Sequence, residues 1–183
     1  MTPMCRSATV DNHPAPGVVD APGGSGTSDH TDVMSISILD AGMADLENLR
    51  GVFQRASLSN ENDRGPLLEH PESLVLSDNG VMEGRMRVAV GEGDAVVGFA
   101  TYLISNGVAE LKDLFVDPPW MRRGIGRALV MDLSARLSEL HFEKLEVTAN
   151  PHAMAFYEHV GFVEARIVDT KFYPAPRMWR PIS

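Results

Sequence analysis

The sequence predicts a single folded domain of the mixed α/β class. Apolar residues recur with two different periods, three short strand-like segments follow one another around turn signals, and two helical segments come late in the chain. The predicted elements follow the order β-α-(α)-β-β-β-α-β-α-β-β. That order indicates a mixed sheet rather than a doubly wound parallel one.

The composition is that of an ordinary globular protein, with 183 residues, 44% of them hydrophobic and 22% charged. A formal charge of −9 argues against a general nucleic-acid binder. Cys5 has no second cysteine to pair with, and the chain shows neither a membrane-length apolar stretch nor a secretory signal. The histidines lack zinc-site spacing. We therefore expect a cytoplasmic protein without metal, nucleic-acid or membrane partners.

Residues 1–34 differ from the rest of the chain because they are rich in Pro, Gly and Ser and have no hydrophobic period. Such a segment cannot bury enough apolar area to offset the entropy of ordering it. We predict a flexible N-terminal tail over 1–34 and one folded domain over 35–183. Met34 directly precedes the first patterned residues and offers an alternative translation start.

The first half of the domain begins with a strand at the alternating Ile36 and Ile38. A helix is then predicted by apolar residues at helical spacing, namely Leu46, Leu49, Phe53 and Ala56. Residues 57–84 are polar, and we expect them to be irregular apart from one short helix near 64–69. Three strands follow at 85–90, 96–103 and 110–116, separated by turn signals at 91–94 and 105–107.

Pro118-Pro119 ends the third of these strands, and a long helix is predicted from Gly124 to Leu140. After a strand at 144–148 comes a short helix with clear boundaries. Asn150 suits its N-cap, Pro151 its first position and Gly161 the left-handed position after its end. Two further strands, at 162–168 and 177–182, close the chain.

The turn Arg122-Arg123-Gly124-Ile125-Gly126-Arg127 joins a strand to the long helix. A helix N-terminus attracts anions, glycines allow close approach of a ligand, and arginines bind phosphate oxygens. The pattern therefore predicts a pyrophosphate-binding turn, although a plain tight turn with solvated arginines would look the same. Leu129 stands where the dinucleotide fingerprint has its third glycine, and no P-loop is present.

This turn resembles motif A of the GNAT N-acetyltransferase superfamily, Gln/Arg-x-x-Gly-x-Gly/Ala, with Met121 at the Gln/Arg position. The segment Asn150-x-x-Ala153-x-x-Phe156-Tyr157-Glu158-x-x-Gly161-Phe162 resembles motif B, and residues 109–116 resemble the strand that precedes motif A. The resemblance covers residues 35–183. It implies a GNAT-like acyl-CoA N-acyltransferase fold, with a central, mostly antiparallel twisted sheet flanked by helices, and transfer of an acetyl group from acetyl-CoA to an amine.

Thioester aminolysis needs a base for the amine, a donor for the oxyanion and an acid for the departing thiolate. Tyr157 is the candidate acid, because tyrosine stays protonated at neutral pH. A purely structural role as a core aromatic is the alternative. Glu110 is the candidate base, and a solvated glutamate at a strand start is the alternative. Alternation along the strand puts residues 110, 112, 114 and 116 on one face and Asp113, a competing candidate, on the other.

The resemblance also implies that the main-chain N–H of Val116 stabilises the oxyanion. The residues that it implies for coenzyme binding are Leu114, Phe115, Val116, Arg122, Arg123, Gly124, Ile125, Gly126, Arg127 and Asn150. The acceptor is expected to be an amine, more often of a small molecule, bound by loops 57–84 and 170–176. A homodimer is left open. Two alternative functions are a CoA-binding regulatory module without turnover, which Met121 favours, and an acyltransferase that uses a longer acyl-CoA.

Overall fold

The structure, a computed structural model, describes residues 6–7, 35–170 and 173–182. Its strands are β1 (Arg6–Ser7), β2 (Ser37–Asp40), β3 (Met86–Val90), β4 (Val96–Ser105), β5 (Val108–Val116), β6 (Lys144–Thr148), β7 (Val163–Asp169) and β8 (Pro174–Pro181). They form one sheet in the order β2-β3-β4-β5-β6-β8-β7, and β1 pairs with β5. The β5–β6 and β1–β5 pairs are parallel and the others antiparallel. The sheet is therefore mixed and mostly antiparallel, as predicted.

The helices are α1 (Leu46–Ser57), α2 (Glu61–Glu69), α3 (Asn79–Met82), α4 (Ile125–Glu139) and α5 (Met154–His159). Helix α1 covers one face of the sheet, where the rings of Phe53 and Phe115 meet edge to face with centroids 4.9 Å apart. Helices α4 and α5 cover the other face in a second apolar cluster. Burial of these two clusters supplies the main favourable term for folding.

Most of the predicted elements are confirmed within a few residues, and strand β6 has the predicted bounds. The region 57–84 is the exception, since it holds helix α2, a 3₁₀ turn at Pro71–Leu74 and helix α3 where mainly irregular chain was expected. Helix α2 contains Pro66 and exposes most of its residues. A helix of that kind has no apolar period to reveal it in the sequence.

Strand β5 contains a bulge in its pairing with β4. Thr101 pairs with Asp113, whereas the next residue, Tyr102, pairs with Leu111, so Lys112 is the extra residue. Residues Leu111 and Leu114 consequently face the same cluster, beneath α4. The prediction that residues 110, 112, 114 and 116 share a face is therefore wrong. Glu110 and Asp113 both lie on the α1 face, and Leu114 and Val116 lie on the α4 face.

The predicted tail is described only at Arg6 and Ser7, which pair with Asp113 and Leu114 of β5. The rest of residues 1–34 lies outside the described part of the chain, and its flexibility stays a prediction. In the described ranges, no helix has both the length and the apolar character needed to cross a membrane.

Candidate active site

The candidate site lies where β5 and β6 stop pairing. The two strands are hydrogen-bonded only from Ala109–Leu111 to Leu145–Val147, although β5 continues to Val116. On its other edge, β5 is paired with β4 along its whole length. The edge of β5 beyond Leu111 is therefore available to backbone groups other than those of β6.

The main-chain amide of Val116 points toward this edge. The amide of the next residue, Asp117, donates to Val97 O on β4 at 2.8 Å. Successive amides of a strand point to opposite sides, so those of Val116 and Leu114 face away from β4. This direction is the one that the predicted oxyanion role of Val116 requires.

The two glycines of the turn before α4 serve different purposes. Gly124 caps the helix in the left-handed conformation, with φ +79°, and a Cβ built on it would meet no atom within 4 Å. A Cβ on Gly126 would instead lie 3.3 Å from the Phe156 ring and 3.8 Å from Val116 Cγ2. Gly124 thus leaves open space at the helix N-terminus, and Gly126 lets α4 pack against α5 and the end of β5. The two sequence motifs are in direct contact there.

The arginines of the turn are exposed and spread around the N-terminus of α4. Arg123 stacks over the Trp120 ring at 5.0 Å, and Arg122 adopts a positive φ of 63°. Burial, and then the positive charge of Arg127, lower the pKa of Arg180. Arg127 and Arg180 are therefore close enough to repel each other. An anion bound between the helix N-terminus and these guanidinium groups would relieve that repulsion.

Asn150 caps the turn that leads into α5, as predicted. Its Oδ1 accepts from the main-chain N–H of His152 at 3.0 Å, and its Nδ2 donates to Asp63 Oδ2 at 2.9 Å. The side chain is buried, and protein groups occupy both of its polar atoms. These two bonds give Asn150 a structural role just after β6. Its contact with the coenzyme stays a prediction.

Tyr157 lies on α5 and is fully buried, with 0% of its surface exposed. Its ring meets those of Phe156 and Phe162 edge to face, with centroids 5.3 Å and 5.4 Å away. These contacts fix the ring and account for an aromatic residue at this position. The role of the phenol as the acid stays a prediction.

Glu110 belongs to a largely buried charge cluster within the β5–β6 pairing. Its Oε1 accepts hydrogen bonds from Arg177 Nη1 and, at 3.3 Å, from Thr148 Oγ1. Arg177 also binds Glu146 Oε2 through Nε at 3.0 Å and through Nη2 at 2.9 Å. The Glu110 side chain is only 14% exposed. The interpretation of Glu110 as a solvated strand-start residue therefore does not hold, whatever its part in the chemistry.

The corner between α1 and α2 bridges the ends of the two diverging strands. Arg55 forms a two-pronged ion pair with Asp117, which follows β5, through bonds of 2.9 Å and 2.8 Å. Asp63 is bound by Asn150, which follows β6, and by Asn60 at 2.9 Å. Burial, followed by the negative charge of Asp63, raises the pKa of Tyr173 to about 12. The Asp63 carboxylate is therefore close enough to the phenol of Tyr173 for its charge to act on it.

Sequence reasoning missed Asp63 and Arg177 as members of the site. Asp63 lies in the region where no helix period is visible, so nothing in the sequence indicates that it faces β6. Arg177 reaches Glu110 through the pairing of Thr148 with Arg177 across β6 and β8. That register depends on the fold of the whole sheet. Tyr173 does fall in the predicted acceptor loop, 170–176.

Two features define the class of protein: a helix N-terminus rich in arginine, and a strand edge released beside it. Both suit a long ligand with phosphates at one end and amides along its arm. A sequence profile of the acetyltransferase (GNAT) domain matches residues 75–171. The chain belongs to the GNAT acetyltransferase family and is an acyltransferase.

Solved structures share the fold. The ribosomal-protein-S18-alanine N-acetyltransferase from Escherichia coli is 25% identical, with 81% of this chain and 95% of that chain covered and a TM-score of 0.60. The PaiA N-acetyltransferase from Thermoplasma acidophilum, in complex with coenzyme A, is 20% identical, with 81% and 99% covered and a TM-score of 0.64. The Ard1 protein from Thermoplasma volcanium is 23% identical, with 81% and 98% covered and a TM-score of 0.60. Among curated protein sequences, none matches this chain.

Proposed function

We propose that this acyltransferase moves the acetyl group of acetyl-CoA to a primary amine by direct attack on the thioester. The observation that carries the proposal is the release of the β5 edge, with the Val116 amide directed at it, beside the open N-terminus of α4. The cytoplasm is the proposed location, since a chain with one cysteine needs no oxidising compartment. A homodimer stays a prediction.

In this proposal the N-terminus of α4 and the arginines Arg122, Arg123 and Arg127 bind the pyrophosphate. The pantetheine arm lies along residues 114–116 and pairs with main-chain groups that β6 does not use. Ile125 and Gly126 bring α4 close enough for its first amides to reach the phosphates. The thioester carbonyl then lies near Val116 N–H.

The amine nitrogen attacks the carbonyl carbon, and the negative charge that develops on oxygen is stabilised by Val116 N–H. Glu110, directly or through water, takes the proton from the amine. The C–S bond breaks, and the thiolate takes a proton from Tyr157, which solvent later replaces. The products are an N-acetylated amine and CoA.

The acceptor is proposed to enter on the α1 face, between Asp63 of α2 and Tyr173 of the β7–β8 loop. Asp63 adds a carboxylate at this entrance, which suits a substrate whose amine arrives protonated. A small-molecule amine is proposed as the acceptor rather than a folded protein domain.

The test is a screen of amines with release of the CoA thiol as the readout, run in parallel with acetyl-, propionyl- and succinyl-CoA. Turnover with acetyl-CoA and at least one amine is expected. Faster turnover with a longer acyl donor would favour the alternative acyltransferase. Tight CoA binding without thiol release across all amines would favour a regulatory module, as Met121 at the motif A position suggests.

Charge reversal at the turn should weaken coenzyme binding. In Arg123→Glu/Arg127→Glu we expect the dissociation constant of CoA, measured by calorimetry, to rise on the order of tenfold, with raised salt reproducing part of the loss in the unaltered protein. The matched control is Arg50→Glu/Arg166→Glu, which changes the net charge equally at two exposed residues elsewhere. Equal weakening in both variants would mean that only the overall charge matters.

Glu110→Gln should lower kcat/KM about tenfold near neutral pH, since the amine would then depend on water to lose its proton. The loss should shrink at alkaline pH, where more of the amine is already neutral. The pH–rate profile is the measurement, and Glu146→Gln is the control, because it removes the other carboxylate bound by Arg177. Identical profiles for the two variants would leave Glu110 with a structural role only.

A further inference from the structure

Strand β1 occupies the edge of β5 that β6 releases. Arg6 pairs in parallel with Asp113, and Ser7 pairs with Leu114. The opposite edge of β5 is bonded to β4 through these same residues, so β1 must lie on the β6 side. The pairing with β6 ends at Leu111, two residues before β1 begins to pair. The chain's own N-terminal segment thus extends the sheet at the mouth of the candidate site.

The acyl arm and β1 need the same backbone groups. The amides of Leu114 and Val116 both face this edge, as the bond from Asp117 N to Val97 O shows. A strand paired at Leu114 covers the start of the stretch along which the pantetheine arm is proposed to lie. The pantetheine arm and β1 therefore cannot both hydrogen-bond to this edge of β5 at the same time.

We propose that residues 6–7 form an autoinhibitory strand, which competes with acyl-CoA for the β5 edge and must leave before the coenzyme binds. This inference rests on the proposed function, which places the acyl arm on β5. The occupant of the β5 edge is thus a segment of this same chain, held to β5 by backbone pairing.

The connection allows such competition. Residues 8–34 join β1 to the folded domain, and at roughly 3.3 Å per residue they could span on the order of 90 Å. The segment therefore remains tethered near the site when it is released, and it rebinds as an intramolecular ligand. A two-residue pairing makes few hydrogen bonds, each of modest net strength, so it should tune coenzyme affinity rather than block it.

Because the apparent affinity scales with the fraction of molecules that have a free edge, weakening β1 should tighten coenzyme binding. In full-length Arg6→Pro/Ser7→Pro we expect the dissociation constant of CoA to fall about threefold to tenfold, since proline cannot donate to a strand ladder. The matched control, full-length Arg6→Ala/Ser7→Ala, keeps both main-chain N–H groups and should bind CoA as the unaltered protein does.

Folding should tolerate both variants, because the described residues of both apolar clusters all lie at or after Ile36. Titration calorimetry with CoA measures the binding, and hydrogen exchange at the Leu114 amide, faster in the proline variant than in the alanine variant, reports the pairing directly. Equal CoA affinity in all three proteins would overturn the inference and leave the proposed function standing. Equal tightening in both variants would also overturn it, because side chains and not backbone pairing would then be responsible. Absence of CoA binding in every protein would overturn both.

Discussion

Tyr157→Phe is expected to lower kcat on the order of 10²-fold while the dissociation constant of CoA stays within about twofold. The departing thiolate would have to leave without a proton from the phenol, whereas the ring contacts with Phe156 and Phe162 would remain. Single-turnover rates with acetyl-CoA, combined with calorimetric titration of CoA, separate the chemical step from binding.

The control for this variant is Tyr102→Phe. Tyr102 is a second buried tyrosine, 4% exposed, and belongs to the same apolar cluster beneath α4 but lies on β4. The same atom is thus removed from the same cluster at a distance from the proposed chemistry. If both variants acetylate at the rate of the unaltered protein, Tyr157 is a core aromatic and the acid must be sought elsewhere.

Most of the fold could be predicted from the sequence because most helices and strands bury one face, so their apolar residues recur at regular spacing. Leu129, Leu133 and Leu137 make the buried stripe of α4, and Asn150 and Gly161 cap the next helical segment in the way that their chemistry predicts. Helix α2 escaped prediction because it is mostly exposed and contains Pro66. This helix contributes a polar contact between Asp63 and Asn150, just after β6. A single polar contact produces no hydrophobic period in the sequence.

The site was predictable as a set of motifs but not as a geometry. The glycines and arginines locate the turn before α4 in the sequence. The different roles of the two glycines depend on the packing of Gly126 against Phe156, which is a tertiary contact. The bulge at Lys112 changes which side chains of β5 share a face. No glycine or proline in the sequence marks its position. Asp113 consequently joins Glu110 on the α1 face, which simple alternation had excluded.

Arg177→Met is expected to lower the free energy of unfolding by about 3 kcal/mol at neutral pH, as measured by denaturant titration. The Arg177 side chain is 9% exposed, and the two carboxylates that it binds, Glu110 and Glu146, are 14% and 16% exposed. Removing the guanidinium would leave Thr148 as the partner of Glu110 and Lys144 as the partner of Glu146 among the side chains that the structure describes. The matched control is Arg166→Met, at the exposed residue that pairs with Arg177 on β7, which should cost less than about 0.5 kcal/mol.

The loss of unfolding free energy in Arg177→Met should also depend on pH. Burial alone would raise the pKa of Glu146, but the hydrogen bonds and charges of Lys144 and Arg177 outweigh it and hold that pKa below its ordinary value of about 4.5. A carboxyl with a lowered folded-state pKa stabilises the protein above its ordinary pKa, and this stabilisation disappears as the pH falls through the folded-state value. The difference between Arg177→Met and the unaltered protein should therefore narrow in acid below about pH 4.5. A difference that stays constant down to pH 3 would contradict this origin.

Replacing the whole cluster separates stability from chemistry. In Arg177→Met/Glu110→Gln/Glu146→Gln none of the three largely buried charges remains, and Lys144, which loses its partner, is half exposed, so most of the lost stability should return. Activity should not return, because the proposed base would still be missing. Recovery of both would show that the cluster only supports the fold. Recovery of stability alone would show that the cluster contains a group that activity needs and folding does not.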